Sequence, residues 1–172
     1  MNMNKKIIIT DTNIITDLNT CKLLDKFAQL DNVYINDICK REEINEKTGG
    51  IDVINKIKEI KVTSEELLEA TKLFRNIGKL SIFDVLNYVV AKYHNAILAT
   101  GDNRLKKFAE SNDVEVVRTL KIIRWMREKN IIKNNEVIDA CILLKNDSKT
   151  FIPIELIDEL INEYNQDLVG IN

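Results

Sequence analysis

Two short apolar runs, each halted by an aspartate, constrain the fold of this chain more than any other feature. Residues 6–10 read Lys-Ile-Ile-Ile-Thr and stop at Asp11, and residues 97–100 read Ile-Leu-Ala-Thr and stop at Gly101 and Asp102. Continuous apolar runs of this length are typical of strands that are covered on both faces, as in parallel sheets. We therefore predict an α/β fold in which both aspartates follow buried strands.

The remaining patterns predict the helices that such a sheet needs. Apolar residues at helical spacing, together with capping residues, indicate helices over about 21–30, 36–45, 51–58, 64–77, 82–93, 104–110, 119–129, 135–145 and 154–164, and further strands at 33–35 and 114–117. The order β-α-β has crossovers long enough for parallel pairing. We predict a mostly parallel sheet of four to five strands in residues 1–120, followed by helices in residues 121–172 that pack on the same domain.

Composition limits the class of protein. The 172 residues are 45% hydrophobic and 30% charged, which suits one domain with a packed core rather than a disordered chain. No apolar run approaches the roughly 20 residues of a membrane span, and the first residues lack the apolar region of a signal peptide. Three widely spaced cysteines make a disulfide framework unexpected. We expect a cytoplasmic protein without a membrane partner.

Charge is distributed unevenly along the chain. Residues 104–133 hold nine basic and four acidic side chains, whereas residues 134–172 hold two basic and eight acidic ones, within a net charge of −2. A basic stretch beside an acidic tail is a weak indication of a polyanionic partner. Solvated helix surfaces explain the same pattern equally well.

Four carboxylates are candidates for chemistry. Ligands of open parallel sheets bind beyond the carboxyl ends of the strands, where Asp11 and Asp102 are expected, and Asp84 lies in the first turn of the helix before the second strand. The fourth comes from the helix after residues 33–35. Glu42 lies seven residues after Ile35 and three after Cys39, on the apolar side, whereas Glu43 is rotated by about 100°, so we choose Glu42.

Such a set of acids favours a metal site. Clustered carboxylates repel one another unless a cation neutralises them, and their oxygens suit Mg²⁺ or Mn²⁺. One or two such ions can activate water and stabilise a phosphate undergoing substitution. Each acid also has a structural explanation, since Asp84 has capping-box spacing from Ser81 and Asp102 can cap the next helix. His94, the single histidine, has no partner at ligand spacing.

Three segments carry a family resemblance: residues 7–18 (IIITDTNIITDL), residues 81–105 (SIFDVLNYVVAKYHNAILATGDNRL) and residues 114–117 (VEVV). Over roughly residues 5–120 the chain resembles the PIN-domain nucleases, which include the VapC-type toxins. The resemblance implies a three-layer α/β/α fold and a metal-dependent endoribonuclease specific for single-stranded RNA. It assigns the acidic cluster, as catalytic and metal-binding residues, to Asp11, Glu42, Asp84 and Asp102, and the residues that orient these acids to Asn13 and Thr100. The family's glutamate is usually followed by an apolar residue, which Glu43-Ile44 would supply, so Glu43 remains the alternative.

The resemblance also suggests partners. Arg104 and Lys106, the basic residues closest in sequence to the strand ending at Asp102, are expected to contact RNA phosphates, which makes binding sensitive to salt. If the protein is a toxin, a small antitoxin should occupy the cleft. A homodimer is a further expectation, although Ile154, Ile157, Ile161 and Tyr164 have the spacing of an intramolecular core face as well.

Two other functions compete with the nuclease. A haloacid-dehalogenase-like phosphatase also begins with a strand that ends in Asp, but it needs a second Asp two positions later, where this chain has Asn13. A non-catalytic scaffold that binds RNA or protein is the second alternative. Metal-dependent cleavage, as opposed to binding without cleavage, discriminates it from the enzyme.

Overall fold

A five-stranded parallel sheet forms the centre of the molecule. The computed structural model describes residues 6–44 and 51–169. The strands lie in the order β3-β2-β1-β4-β5, and every neighbouring pair is parallel. Their bounds are β1 (Ile8–Thr10), β2 (Val33–Asn36), β3 (Lys58–Ile60), β4 (Ile97–Ala99) and β5 (Val116–Val117). The predicted parallel α/β sheet is confirmed.

Ten helices connect or follow these strands in the described part of the chain. They are α1 (Thr12–Thr20), α2 (Leu24–Phe27), α3 (Asp37–Glu43), α4 (Ile51–Ile54), α5 (Ser64–Asn76), α6 (Ile82–Tyr93), α7 (Asn103–Glu110), α8 (Thr119–Glu128), α9 (Asn134–Asn146) and α10 (Ile154–Val169). None of the helices described is both long and apolar enough to cross a membrane.

Two stretches of the secondary-structure prediction were wrong. Helix α1 was not predicted, and the helix expected over 21–30 is reduced to the single turn of α2. The helix expected over 51–58 ends at Ile54, and the chain enters strand β3 at Lys58. Strand β3 lies at the edge of the sheet and exposes Lys58 and Glu59, so it lacks the apolar run that identifies a buried strand.

The sheet separates two apolar cores. Side chains alternate along each strand, so Ile8 and Ile97 enter one core while their neighbours Ile9 and Leu98 enter the other. Helices α1, α2, α8, α9 and α10 cover the first face, and α5, α6 and α7 cover the second. This is the three-layer α/β/α arrangement.

The C-terminal helices belong to the first of these cores. Ile122 and Met126 of α8, Cys141 of α9 and Ile157 of α10 are fully buried in the same cluster as Leu18 of α1. Helix α10 packs against α9, so the apolar face of α10 is covered within the chain. The domain boundary near residue 120 stays a prediction. The connection between α9 and α10 returns the chain to the sheet edge where β1 and β4 end.

Candidate active site

Asp11 is the most enclosed acid at the carboxyl edge of the sheet. It follows β1 directly, caps the N-terminus of α1 and is only 4% exposed. Its Oδ1 accepts a hydrogen bond from the Thr12 amide at 2.7 Å, and its Oδ2 accepts from Thr100 Oγ1 at 2.8 Å and from Asn13 Nδ2 at 2.7 Å. These contacts fix the carboxylate in one orientation.

Burial raises the pKa of Asp11 to about 7, although the hydrogen bond from Thr100 opposes the shift. The negative charges of Asp84 and Glu43 raise this pKa further. Burial also raises the pKa of Glu43, with Asp84 again contributing. Three carboxylates from three separate elements therefore interact electrostatically at this edge, and the charge of Asp84 makes ionisation of both Asp11 and Glu43 less favourable.

The glutamate of this cluster is Glu43, and the choice of Glu42 as the residue facing the sheet edge was wrong. Glu43 Oε2 accepts a hydrogen bond from Thr12 Oγ1 at 2.8 Å, and Glu43 also receives one from the buried Cys39 thiol. Glu42 is exposed and pairs with Arg41. The helical phase was counted from Ile35 as well as from Cys39, and Ile35 lies in strand β2, before the helix begins. Counted within α3, Glu43 follows Cys39 by four residues on the same side.

Asp84 helps to cap helix α6, and its negative charge also acts on Asp11. In the first turn of α6, its Oδ2 accepts from the Ser81 amide at 2.8 Å, and its own amide donates to Ser81 Oγ at 3.0 Å, which completes a capping box. Within the described residues, no hydrogen bond reaches Asp84 Oδ1. The capping interaction therefore leaves one carboxylate oxygen available to a ligand.

Asp102 is also a helix cap. Its Oδ1 accepts from the amides of Arg104 and Leu105 at 2.7 and 2.8 Å, so it begins α7. Thr100 connects it to Asp11, because Thr100 Oγ1 donates to Asp11 and accepts from the Asp102 amide at 3.1 Å. Among the residues described, none donates a hydrogen bond to Asp102 Oδ2, which likewise remains available.

Because Asp102 caps α7, its contribution to the free energy of unfolding should depend on its hydrogen-bond acceptor and not on its negative charge. Asp102→Ala should lower the free energy of unfolding by about 1 kcal/mol, because the two amides at the start of α7 lose their acceptor. Asp102→Asn should stay close to wild type, since asparagine caps nearly as well. Urea denaturation at pH 7 compares the two variants. An equal loss of stability in both would contradict the capping role.

Asn13 connects the ends of β1 and β4. Its Nδ2 donates to Asp11, and its Oδ1 accepts from the Gly101 amide at 2.6 Å. A Cβ atom at position 101 would lie 3.1 Å from Asn13 Oδ1, closer than an ordinary contact. Glycine at this position therefore permits the close approach that holds Asn13 against Asp11.

Two buried amides were missed by the sequence analysis as site residues. Asn87 Nδ2 lies 3.4 Å from Asp11 Oδ1, and Asn87 Oδ1 accepts from Asn36 Nδ2 at 2.7 Å. Asn36 is also the N-cap of α3, where its Oδ1 accepts from the Cys39 amide at 2.8 Å. Asn87 could have been recognised from the sequence, because it is a polar residue on the apolar side of α6, three residues after Asp84. A buried amide at that position indicates a polar partner, here the carboxylate of Asp11.

The donor set fits a hard divalent cation. Carboxylate oxygens of Asp11, Glu43 and Asp84 carry the mutually repelling charges described above, which a cation would neutralise. Among the side chains described in residues 6–44 and 51–166, no three acidic, histidine or cysteine side chains are already placed close enough to form a complete metal site. Mg²⁺ commonly needs only one or two carboxylates, with water and substrate oxygens as its other ligands.

The two expected RNA-binding residues lie in different surroundings. Arg104 is exposed and lines a cleft of about 420 Å³ that also includes Asn13 and Asp102. Lys106 is half-buried, pairs with Glu110 at 3.8 Å, and is not among the residues lining that cleft. Only Arg104 is thus placed directly beside the acids.

A comparison with curated protein sequences finds no match. A PIN-domain family model matches residues 7–166, which includes the C-terminal helices through most of α10. PIN domains are generally nucleases and typically use divalent metal ions. The parallel sheet, with its acids at the carboxyl ends of β1 and β4, agrees with this match. The chain belongs to the PIN-domain family.

Proposed function

We propose that this PIN domain is a metal-dependent endoribonuclease that hydrolyses phosphodiester bonds of single-stranded RNA. The observation that carries the proposal is the buried Asp11 carboxylate, whose pKa is raised to about 7 beside the charges of Asp84 and Glu43. Burying the Asp11 carboxylate beside two other acids is unfavourable in the protein alone and favourable once a cation is present. A divalent cation held by carboxylates commonly catalyses the hydrolysis of phosphate esters.

Each acid has a definite part in the proposed site. Asp11, Glu43 and Asp84 would hold Mg²⁺ or Mn²⁺, with Asp102 at the side of the cluster that faces the cleft. When bound, one or two ions would lower the pKa of a water molecule and stabilise charge on the phosphate. Asn13 and Thr100 orient Asp11 by direct hydrogen bonds. Arg104 is the residue we assign to a backbone phosphate, with Lys106 as a more distant contact.

Two adjacent glutamates provide the matched test of this assignment. Glu43→Gln should reduce the rate of RNA cleavage by roughly 10-fold or more, because it removes one of the carboxylates assigned to the metal, whose charge acts on Asp11. Glu42→Gln should leave the rate within about twofold, since that side chain is exposed and paired with Arg41. Cleavage of a fluorescent single-stranded RNA in Mn²⁺ measures both. A larger loss for Glu42→Gln would contradict the assignment.

A non-catalytic scaffold is the second candidate. It is favoured by the structural roles of Asp84 and Asp102, each of which helps to cap a helix. A scaffold would bind RNA or protein with no cleavage products in Mg²⁺ or Mn²⁺. The nuclease requires products that disappear when the metal is chelated.

A more specific proposal is that the RNA cleavage makes this protein the toxin of a toxin–antitoxin pair. A toxin of this class would arrest growth when expressed alone, and a small antitoxin bound over the cleft would relieve the arrest. Growth without impairment, from cells that contain active nuclease, would instead favour a housekeeping or defence role.

A further inference from the structure

The cleft beside Asp102 is lined by residues from four separate parts of the chain. One wall is the segment from Gly101 to Arg104, which connects β4 to α7. The lining also includes Phe151 and Ile152, in the connection between α9 and α10, and it is completed by Asn13, Asp17, Arg118 and Thr119. The C-terminal helices thus contribute surface directly beside the proposed catalytic residues as well as core packing.

Phe151 is the most exposed large apolar side chain among the described residues. It is 89% exposed, whereas the next, Leu68, is 56% exposed. Its neighbour Ile152 packs against the first core, and Pro153 follows at the start of α10, so the backbone that carries the ring is held in place. The aromatic ring therefore projects from a fixed segment at the edge of the cleft and is free to contact a ligand.

The charges in the cleft suit a ligand that is both aromatic and anionic. The Arg118 guanidinium donates to Gly101 O at 2.7 Å and to Asn103 Oδ1, so it is a fixed cation that braces the wall. The Arg104 guanidinium makes one long contact, of 3.5 Å with Lys79 O, among the residues that the structure describes, and Arg104 remains exposed. Burial raises the pKa of Asp17, and Thr119 Oγ1 donates to its carboxylate at 2.6 Å, so this acid is occupied within the protein.

We propose that this cleft holds the RNA nucleotide next to the cleaved phosphate, with its base stacked on Phe151 and its phosphate at Arg104. The cleft adjoins the acidic cluster, because it is lined by Asp102 and by Asn13, which donates to Asp11, so a strand bound at the acids could extend into it. A base can stack on a protein ring only when it is unpaired, which selects single strands. The inference rests on the proposed nuclease function and adds a substrate-positioning role for Phe151.

The test is equilibrium binding of a short fluorescent single-stranded RNA to the full chain in EDTA. Phe151→Ala should weaken binding by about 10-fold, the typical effect of losing one base–aromatic stack. Phe151→Trp should bind as well as wild type. Phe74→Ala removes a phenylalanine that is 42% exposed on α5, away from the cleft, and should leave binding unchanged.

An RNA that lacks one base tests whether Phe151→Ala weakens binding through the loss of base stacking or through a general loss of affinity. With the base removed next to the cleavage position, wild type and Phe151→Ala should bind equally well. Equal binding of these two proteins to intact RNA would overturn the inference, even if wild type cleaves RNA in Mn²⁺ and the nuclease proposal stands. Binding that depends on Phe151, without cleavage, would support the nucleotide cleft and contradict the nuclease. Absence of any RNA binding overturns the cleft assignment directly.

Discussion

Asp11→Asn protein is expected to lose RNA cleavage by roughly 1,000-fold or more, because a metal ion supplies several kcal/mol of charge stabilisation to such reactions. Asp11 is the acid that the other residues surround: Thr100 and Asn13 orient it, and Asp84 and Glu43 act on its pKa. Asparagine has nearly the same shape but no negative charge. The substitution therefore removes the charge at the centre of the cluster with little change in packing.

Folding should survive this substitution. The Asn side-chain oxygen can still accept from the Thr12 amide. Its NH2 group replaces the oxygen that accepts from Asn13 and Thr100, and removal of the unfavourable buried charge offsets the loss of those two hydrogen bonds. We expect the melting temperature in EDTA at pH 8 to be unchanged or higher. Asp25→Asn is the matched control, because Asp25 is an exposed residue paired with Lys56 and should affect neither cleavage nor melting. Metal-dependent cleavage by pure Asp11→Asn protein at the wild-type rate would remove the proposed mechanism.

The raised pKa of Asp11 makes the stability of the metal-free protein depend on pH. The pKa is about 7 in the folded protein and has a reference value of 3.8, so between these values the folded state binds more protons than the unfolded state. The free energy of unfolding should therefore fall as pH rises through this window and level off above it. The full contribution is about 4 kcal/mol, on the order of 1.4 kcal/mol per pH unit.

Urea denaturation in EDTA at pH 5, 6, 7 and 8 measures the free energy of unfolding of wild type and of Asp11→Asn, so that their pH profiles can be compared. Groups other than Asp11 titrate in both proteins, so the difference between the two profiles isolates Asp11. Wild type should lose stability relative to the variant as pH rises. Addition of Mn²⁺ at pH 8 should stabilise wild type more than Asp11→Asn, since the cation offsets the buried charge. Parallel pH profiles of the two proteins would contradict the raised pKa.

Local patterns were sufficient to predict the centre of the sheet. Strands β1 and β4 are continuous apolar runs, which identify them as strands from the sequence alone. Asp11 and Asp102 lie within three residues of the ends of these runs, so their positions follow from the strands. Strand β3 could not be recognised in this way, because it is a charged edge strand that depends on pairing with β2. Its existence is decided by tertiary structure rather than by local preference.

The site was predictable only where its residues lie next to a strand or a helix start. Glu43 requires knowledge of the residue at which β2 gives way to α3, since a one-residue error moves the side chain by about 100° around the helix. Asn87 approaches Asp11 only through the packing of α6 on the sheet. Phe151 lies beside Asp102 because α9 and α10 return the chain to the sheet edge. These contacts join residues distant in sequence, and no local pattern encodes them.

The most direct measurement is the cleavage of a mixed single-stranded RNA by the purified, partner-free chain in Mg²⁺ or Mn²⁺ and in EDTA. The same sequence annealed into a duplex serves as the control substrate. We expect products from the single strand in metal, none in EDTA and few from the duplex. Products that persist in EDTA, or folded protein that cleaves no single-stranded RNA in either metal, would contradict the proposal that this PIN domain is a metal-dependent endoribonuclease.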